Sequence, residues 1–159
     1  MEIVIILGLI FLNGILSMSE IAMVSARKSR LETAAKKGSK TAKTALRLAN
    51  EPDRFLSTIQ IGITLIGILT GLYSGEALAG DLARWLETIG IPQAHSLTLA
   101  KGIIVILVTY LTLILGELVP KHLGMNAPEK IARLIARPME VLSKIASPFV
   151  WLLSASTQA

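Results

Sequence analysis

Asn13, Ser17 and Glu20 are spaced by four and by three, so a helix through them sets an amide, a hydroxyl and a carboxylate on one face. Gly14 and Ser19 flank that face, and the whole group lies in the apolar run 3–24. A second carboxylate, Glu117, falls near the end of the apolar run 102–119. An ionised side chain inside a membrane-spanning helix costs about 2.5–3.5 kcal/mol even on lenient scales. Two such groups beside small polar residues point to a cation or a proton held within a bilayer. Thr64, about nine residues into a third apolar run that begins at Phe55, adds an oxygen at a comparable depth.

Oxygen donors from three helices suit a hard cation. Mg²⁺ prefers oxygen ligands in octahedral geometry, and Na⁺ accepts the same kind of set. Each residue also has an ordinary reading. Ser17 and Ser19 can bond a carbonyl one turn back, and Asn13 can join two helices. Glu20 is within reach of Arg27 or Lys28, and Glu117 lies four residues before Lys121 across Pro120.

The elements that must position these groups follow from composition. The chain has 159 residues, 52% of them hydrophobic and 17% charged, and three apolar runs of about twenty residues. That pattern gives an all-α membrane protein with spans at about 3–25, 55–79 and 99–119. Nine of the sixteen Lys/Arg fall between Arg27 and Arg54 and five between Lys121 and Lys144. The positive-inside rule puts both segments in the cytoplasm of a plasma (inner) membrane and the N-terminus outside. The same clustering, poor in aromatics, argues against nucleic acid. The first run lacks a basic n-region and a small-residue cleavage site, so it reads as a retained span. Without cysteine there is no disulfide and no thiolate metal site. No nucleophile–base pair or cofactor fingerprint suggests an enzyme.

Between the spans, residues 27–50 read as one polar helix at the lipid interface. Asn50-Glu51-Pro52-Asp53 reads as a helix start. The glycines of the second span, Gly62, Gly67, Gly71 and Gly75, allow close helix packing or local unwinding. Residues 80–98 read as a short external connection with Trp85 at the interface. Residues 127–154 are amphipathic, and Pro128, Pro138 and Pro148 are expected to cut them into short interfacial helices. The sequence ends at Ser-Thr-Gln-Ala without a cap, which reads as a fragment of a longer protein.

Two motifs carry a family resemblance. Leu12-Asn13-Gly14-Ile15-Leu16-Ser17-Met18-Ser19-Glu20-Ile21-Ala22 resembles the first helix of the cyclin M/CorC transmembrane domain. Gly116-Glu117-Leu118-Val119-Pro120-Lys121 matches that family's G-E-(hydrophobic)-x-P-K signature. The resemblance implies a homodimeric three-helix domain with juxtamembrane helices, associated with Mg²⁺ export driven by inward Na⁺. It also implies ATP binding only through CBS modules that follow in longer relatives and are absent here. By motif position the ion ligands become Asn13, Ser17, Gly116 and Glu117, to which the depth argument adds Glu20 and Thr64. One departure is visible: many relatives have an asparagine-rich G-N-N segment on the second helix. Here the place reads Gln60-Ile61-Gly62-Ile63-Thr64-Leu65-Ile66-Gly67, with Thr64 in place of a stronger amide ligand. In this respect the chain resembles the bacterial haemolysin-like subgroup, some of whose members are linked to polyamines. The expectation is therefore a divalent-cation exporter for Mg²⁺. Its rivals are an exporter of polyamines or other organic cations and a non-transporting scaffold that regulates a partner.

Overall fold

Long apolar runs can satisfy their backbone in a membrane only as helices, and the computed structural model, which describes all 159 residues, is helical almost throughout and has no strand. The helices are α1 (Glu2–Ser25), α2 (Lys28–Lys36), α3 (Lys40–Asn50), α4 (Pro52–Thr88), α5 (Gln93–Leu113), α6 (Val119–Asn126) and α7 (Pro128–Gln158). A π-helical turn, Ile114–Leu118, joins α5 to α6. Three stretches are long and apolar enough to cross a membrane: Glu2–Ser25, Pro52–Thr88 and Gln93–Asn126.

Three expectations need correction, and one choice left open is settled. The segment 27–50 is two helices, because Gly38 at φ +94° ends α2. Its N–H bonds Ala35 O and that of Ser39 bonds Ala34 O, the double bond of a Schellman stop. Ser39 Oγ then accepts from Ala42 N–H and starts α3.

The helix that carries the second span does not end near Ala79. α4 continues to Thr88, stops by the same device at Gly90 (φ +100°), and leaves only residues 89–92 as a link before α5. Asp81, Arg84 and Glu87 change the polarity of the helix surface without breaking the helix. The charge pattern marks the edge of an apolar environment, not the end of hydrogen bonding.

α4 is also unbroken at its glycines. Only Gly62 meets a neighbour: a Cβ there would lie 2.7 Å from Leu16 Cδ1. A Cβ at Gly67, Gly71 or Gly75 would meet nothing within 4 Å.

Finally, α7 passes uninterrupted through Pro138 and Pro148. An interior proline costs about 3 kcal/mol. Burial of Ala132, Ile135, Ala136, Met139 and Ala146 along one face offsets that cost and keeps the helix whole.

The largest apolar core forms where the basic segments meet the bases of the spans. Leu31, Ala45, Ala49, Phe55, Ile59, Ala132, Ile135 and Met139 belong to it, together with Leu16 and Met23 of α1. The alanine face of α3 is therefore spent on α7. Charge closes the rim: Arg47 pairs with Glu140 at 2.7 Å, and Arg30 lies 3.8 Å from Glu129. Away from this base, α4 and α5 form a long hairpin through Ala79, Ile104 and Val108, and then through Ala83, Leu86 and Ala100.

Candidate functional site

Pro120 has no N–H, so a carbonyl one turn earlier loses its helical donor. The chain meets this with the π turn, in which Val119 N–H bonds Ile114 O, and with α1. Asn13 Nδ2 donates to the Gly116 carbonyl oxygen at 3.1 Å, across 103 residues of sequence. The approach is close because small residues line the seam. A Cβ on Gly14 would lie 2.9 Å from Pro120 Cγ, and one on Gly124 would lie 2.8 Å from Met18 O. Gly116, Pro120 and Gly124, spaced by four, thus occupy one face. They meet α1 in ascending order, so the first and third spans run parallel.

Two oxygens at this seam have no partner. Asn13 Oδ1 and Ser17 Oγ are buried and accept or donate no hydrogen bond, in residues that are 2% and 0% exposed. A buried, unsatisfied polar atom costs about 1–3 kcal/mol. Ser19 shows the alternative, since its Oγ donates to Ile15 O at 2.6 Å in the ordinary one-turn bond. Ser17 makes no such bond. An amide oxygen and a hydroxyl are donors of the kind that hard cations prefer. Neutral oxygens of this kind need a carboxylate nearby to balance a divalent charge.

The two carboxylates do not share a cavity. Glu117, half-buried one residue after Gly116, lines a groove of about 230 Å³ with Gly67, Thr70 and Gly71 of α4 and Thr109 and Thr112 of α5. Glu20 faces a wider groove of about 780 Å³, where Ser57, Gln60 and the exposed Thr64 line α4. The structure thus joins Asn13 to Gly116, buries Ser17 one turn along the same helix, sets Glu117 next to Gly116 in a groove with α4, and puts Glu20 with Thr64 elsewhere. Nowhere do three His, Asp or Glu side chains cluster in a metal-binding arrangement.

The ion pairs also differ from those the sequence suggested. Lys121 Nζ lies 3.9 Å from Glu20 Oε2, not against Glu117. Arg27 gives its backbone N–H to Glu129 and does not meet Glu20. Sequence reasoning passed over Thr70 and Thr112 as groove lining and Lys121 as the partner of Glu20. The fourfold spacing Gly116–Pro120–Gly124 was the available signal for the helix seam that places them.

Residues 4–159 match the cyclin M transmembrane N-terminal domain. A UPF0053 protein of Synechocystis sp. is 48% identical over 159 residues, covering all of this chain and 36% of that protein. A UPF0053 protein of Bacillus subtilis is 33% identical over 150 residues, 94% of this chain and 32% of its own length. The polyamine export protein of Escherichia coli K12 is 32% identical over 153 residues, 96% of this chain and 34% of that protein. The chain thus spans about a third of the length of these relatives. With three helices able to span a membrane and a family match over nearly every residue, the chain belongs to the cyclin M transmembrane domain family.

Proposed function

We propose that this is the membrane domain of a cation exporter, and that Mg²⁺ is its cargo. In this reading Asn13, Ser17, Gly116 and Glu117 hold the ion, while Glu20 and Thr64 attend its passage at the wider groove. Na⁺ is the proposed coupling ion. The working unit is a homodimer in the inner membrane, with the basic helices cytoplasmic, and ATP acts only through modules outside this chain. The observation that carries the proposal is the pair of buried, unpartnered oxygens on Asn13 and Ser17. A fold tolerates such groups when something else completes them.

Ser17→Ala separates the functional reading from a structural one. Because Ser17 Oγ bonds nothing in the protein, its removal should leave the melting temperature unchanged or slightly raised. Mg²⁺ flux from proteoliposomes, read with an entrapped Mg²⁺ dye, should fall at least tenfold. Glu117→Ala should abolish flux in protein that still folds. Normal flux from either variant would refute the ligand assignment.

A second reading, export of an organic polycation, has its own support. The Escherichia coli relative is named a polyamine export protein, and the Glu20 groove joins a carboxylate to aliphatic walls. Competition between Mg²⁺ and spermidine in the same flux assay decides which cargo is carried.

A further inference from the structure

Where α3, α4 and α7 meet at the foot of the spans, a pocket of about 130 Å³ opens between Arg47, Glu51, Arg54, Glu140, Ser143 and Lys144, with buried Phe55 behind them. It is too small for a drug-sized ligand and suits a single compact group. Ser143 is only 4% exposed, yet its hydroxyl makes no hydrogen bond within the protein and opens on this pocket. Thr44 of α3 and Thr58 of α4 show the ordinary outcome, since each bonds a carbonyl one turn back. A nearly buried hydroxyl left unbonded is costly unless something completes it.

Three cations and two carboxylates ring that hydroxyl. Arg47 gives one N–H to Glu140 at 2.7 Å and keeps the rest of its fork. Lys144 stands 3.8 Å from the same carboxylate and Arg54 stands 3.9 Å from Glu51, both too far for a hydrogen bond. The rim therefore carries an excess of positive charge, with N–H donors to spare. No side chain caps α4, whose first turn borders the pocket with the positive end of the helix dipole. Asp53 of that turn lines the next groove and not this pocket.

That groove, about 340 Å³, continues from the pocket past Arg54, between Ser57 of α4 and Ser147 and Val150 of α7, to the exposed Trp151. The chain of α4 turns apolar from Phe55 onward, so pocket and groove lie at the level where lipid headgroups meet hydrocarbon. An exposed tryptophan suits that level. Basic pockets between helices at such a level hold phospholipid headgroups. We propose that the pocket binds the phosphate of an anionic headgroup. Ser143 and Arg54 donate to it, Arg47 and Lys144 flank it with charge, and the rest of the lipid leaves along the groove to Trp151. A lipid held in this way pins α7 to the foot of α4. The site is apart from the Asn13–Ser17 seam and does not depend on which cargo is carried.

Equilibrium binding of dioctanoyl phosphatidylglycerol to the purified protein in a neutral maltoside detergent tests it, with dioctanoyl phosphatidylcholine and inorganic phosphate as the other probes. Phosphatidylglycerol should bind saturably and phosphatidylcholine far more weakly. Ser143→Ala should weaken that binding about tenfold at an unchanged melting temperature, because the hydroxyl bonds nothing in the protein. Arg54→Gln should weaken it at least as much. Arg84→Gln, at the far end of α4, removes an equal charge and should leave binding unchanged. Inorganic phosphate that binds and displaces the lipid supports the phosphate site and admits a soluble ligand as well. Binding of the lipid alone supports the site and makes the lipid its occupant. The proposal is overturned if neither probe binds, or if phosphatidylcholine binds as tightly as phosphatidylglycerol. It is equally overturned if Ser143→Ala and Arg54→Gln, both folded by melting temperature, bind as wild type does, which marks attraction by dispersed surface charge.

Discussion

At the scale of single residues, one missing hydrogen organises the seam. Pro120 removes a backbone donor, Asn13 replaces it at Gly116, and the remaining Asn13 oxygen is left buried without a partner. Asn13→Ala should therefore destabilise the domain by about 1–3 kcal/mol, because the Gly116 carbonyl stays buried and unbonded. Adding Pro120→Ala restores a backbone N–H to that turn, so the double variant should recover part of the loss. Denaturant unfolding of the two single variants and the double would show this as a non-additive cycle. Strict additivity would mean that the two residues act independently. A Cβ at Gly124 would press on Met18 O at 2.8 Å and crowd Ile21, so Gly124→Ala should cost about 1–3 kcal/mol as an overpacked contact. A nearly unchanged midpoint would mean that α6 can move off α1 freely.

At the scale of elements, the juxtamembrane helices are a packed unit held to the spans by α7. Glu129 fastens α2 to the start of α7, accepting from Arg27 N–H at 3.3 Å beside Arg30. Its own backbone N–H, then that of Arg27, then the two arginine charges hold its carboxyl below the ordinary value, against a smaller opposing effect of burial. A depressed folded-state pKa means that this stabilisation is complete above the unfolded-state pKa and disappears as pH falls through the folded one. Acidification below the usual carboxylate range should loosen α2 from α7, seen as faster amide exchange in residues 28–36. In Glu129→Gln the exchange should already be fast at neutral pH and vary less on acidification. An unchanged pH profile in that variant would assign the effect to other carboxylates, of which Glu140, between Arg47 and Lys144, is the nearest in kind.

At the scale of the whole molecule, the absence of cysteine makes topology directly measurable. Lys37→Cys at the basic end and His95→Cys beside the α4–α5 link should react with membrane-impermeant maleimide from opposite sides, with Lys37→Cys protected in intact cells. Labelling of Lys37→Cys from outside would invert the proposed orientation. The three spans themselves were legible from apolar length, as was the start of α4 from Asn50-Glu51-Pro52. The basic segments were legible from charge alone. What composition misjudged were helix ends: 27–50 broke at Gly38, 80–88 stayed helical, and α7 ran through two prolines. Those outcomes turn on backbone hydrogen bonds and distant packing, which polarity along the chain does not record.

The sequence by itself determined that three helices carry oxygen-bearing side chains into an apolar layer, because length and hydropathy leave the backbone no other way to satisfy itself there. It also determined that Asn13 and Ser17 share a face, since helical spacing is local. Which groups meet was settled only in three dimensions. Two parallel helices in contact through Gly14, Gly116 and Gly124 bring Asn13 to Gly116, send Lys121 to Glu20, and turn Glu117 toward a different groove. Such pairings depend on the rotation and offset of one helix against another, quantities fixed by side-chain packing across a hundred residues and invisible to any window of sequence.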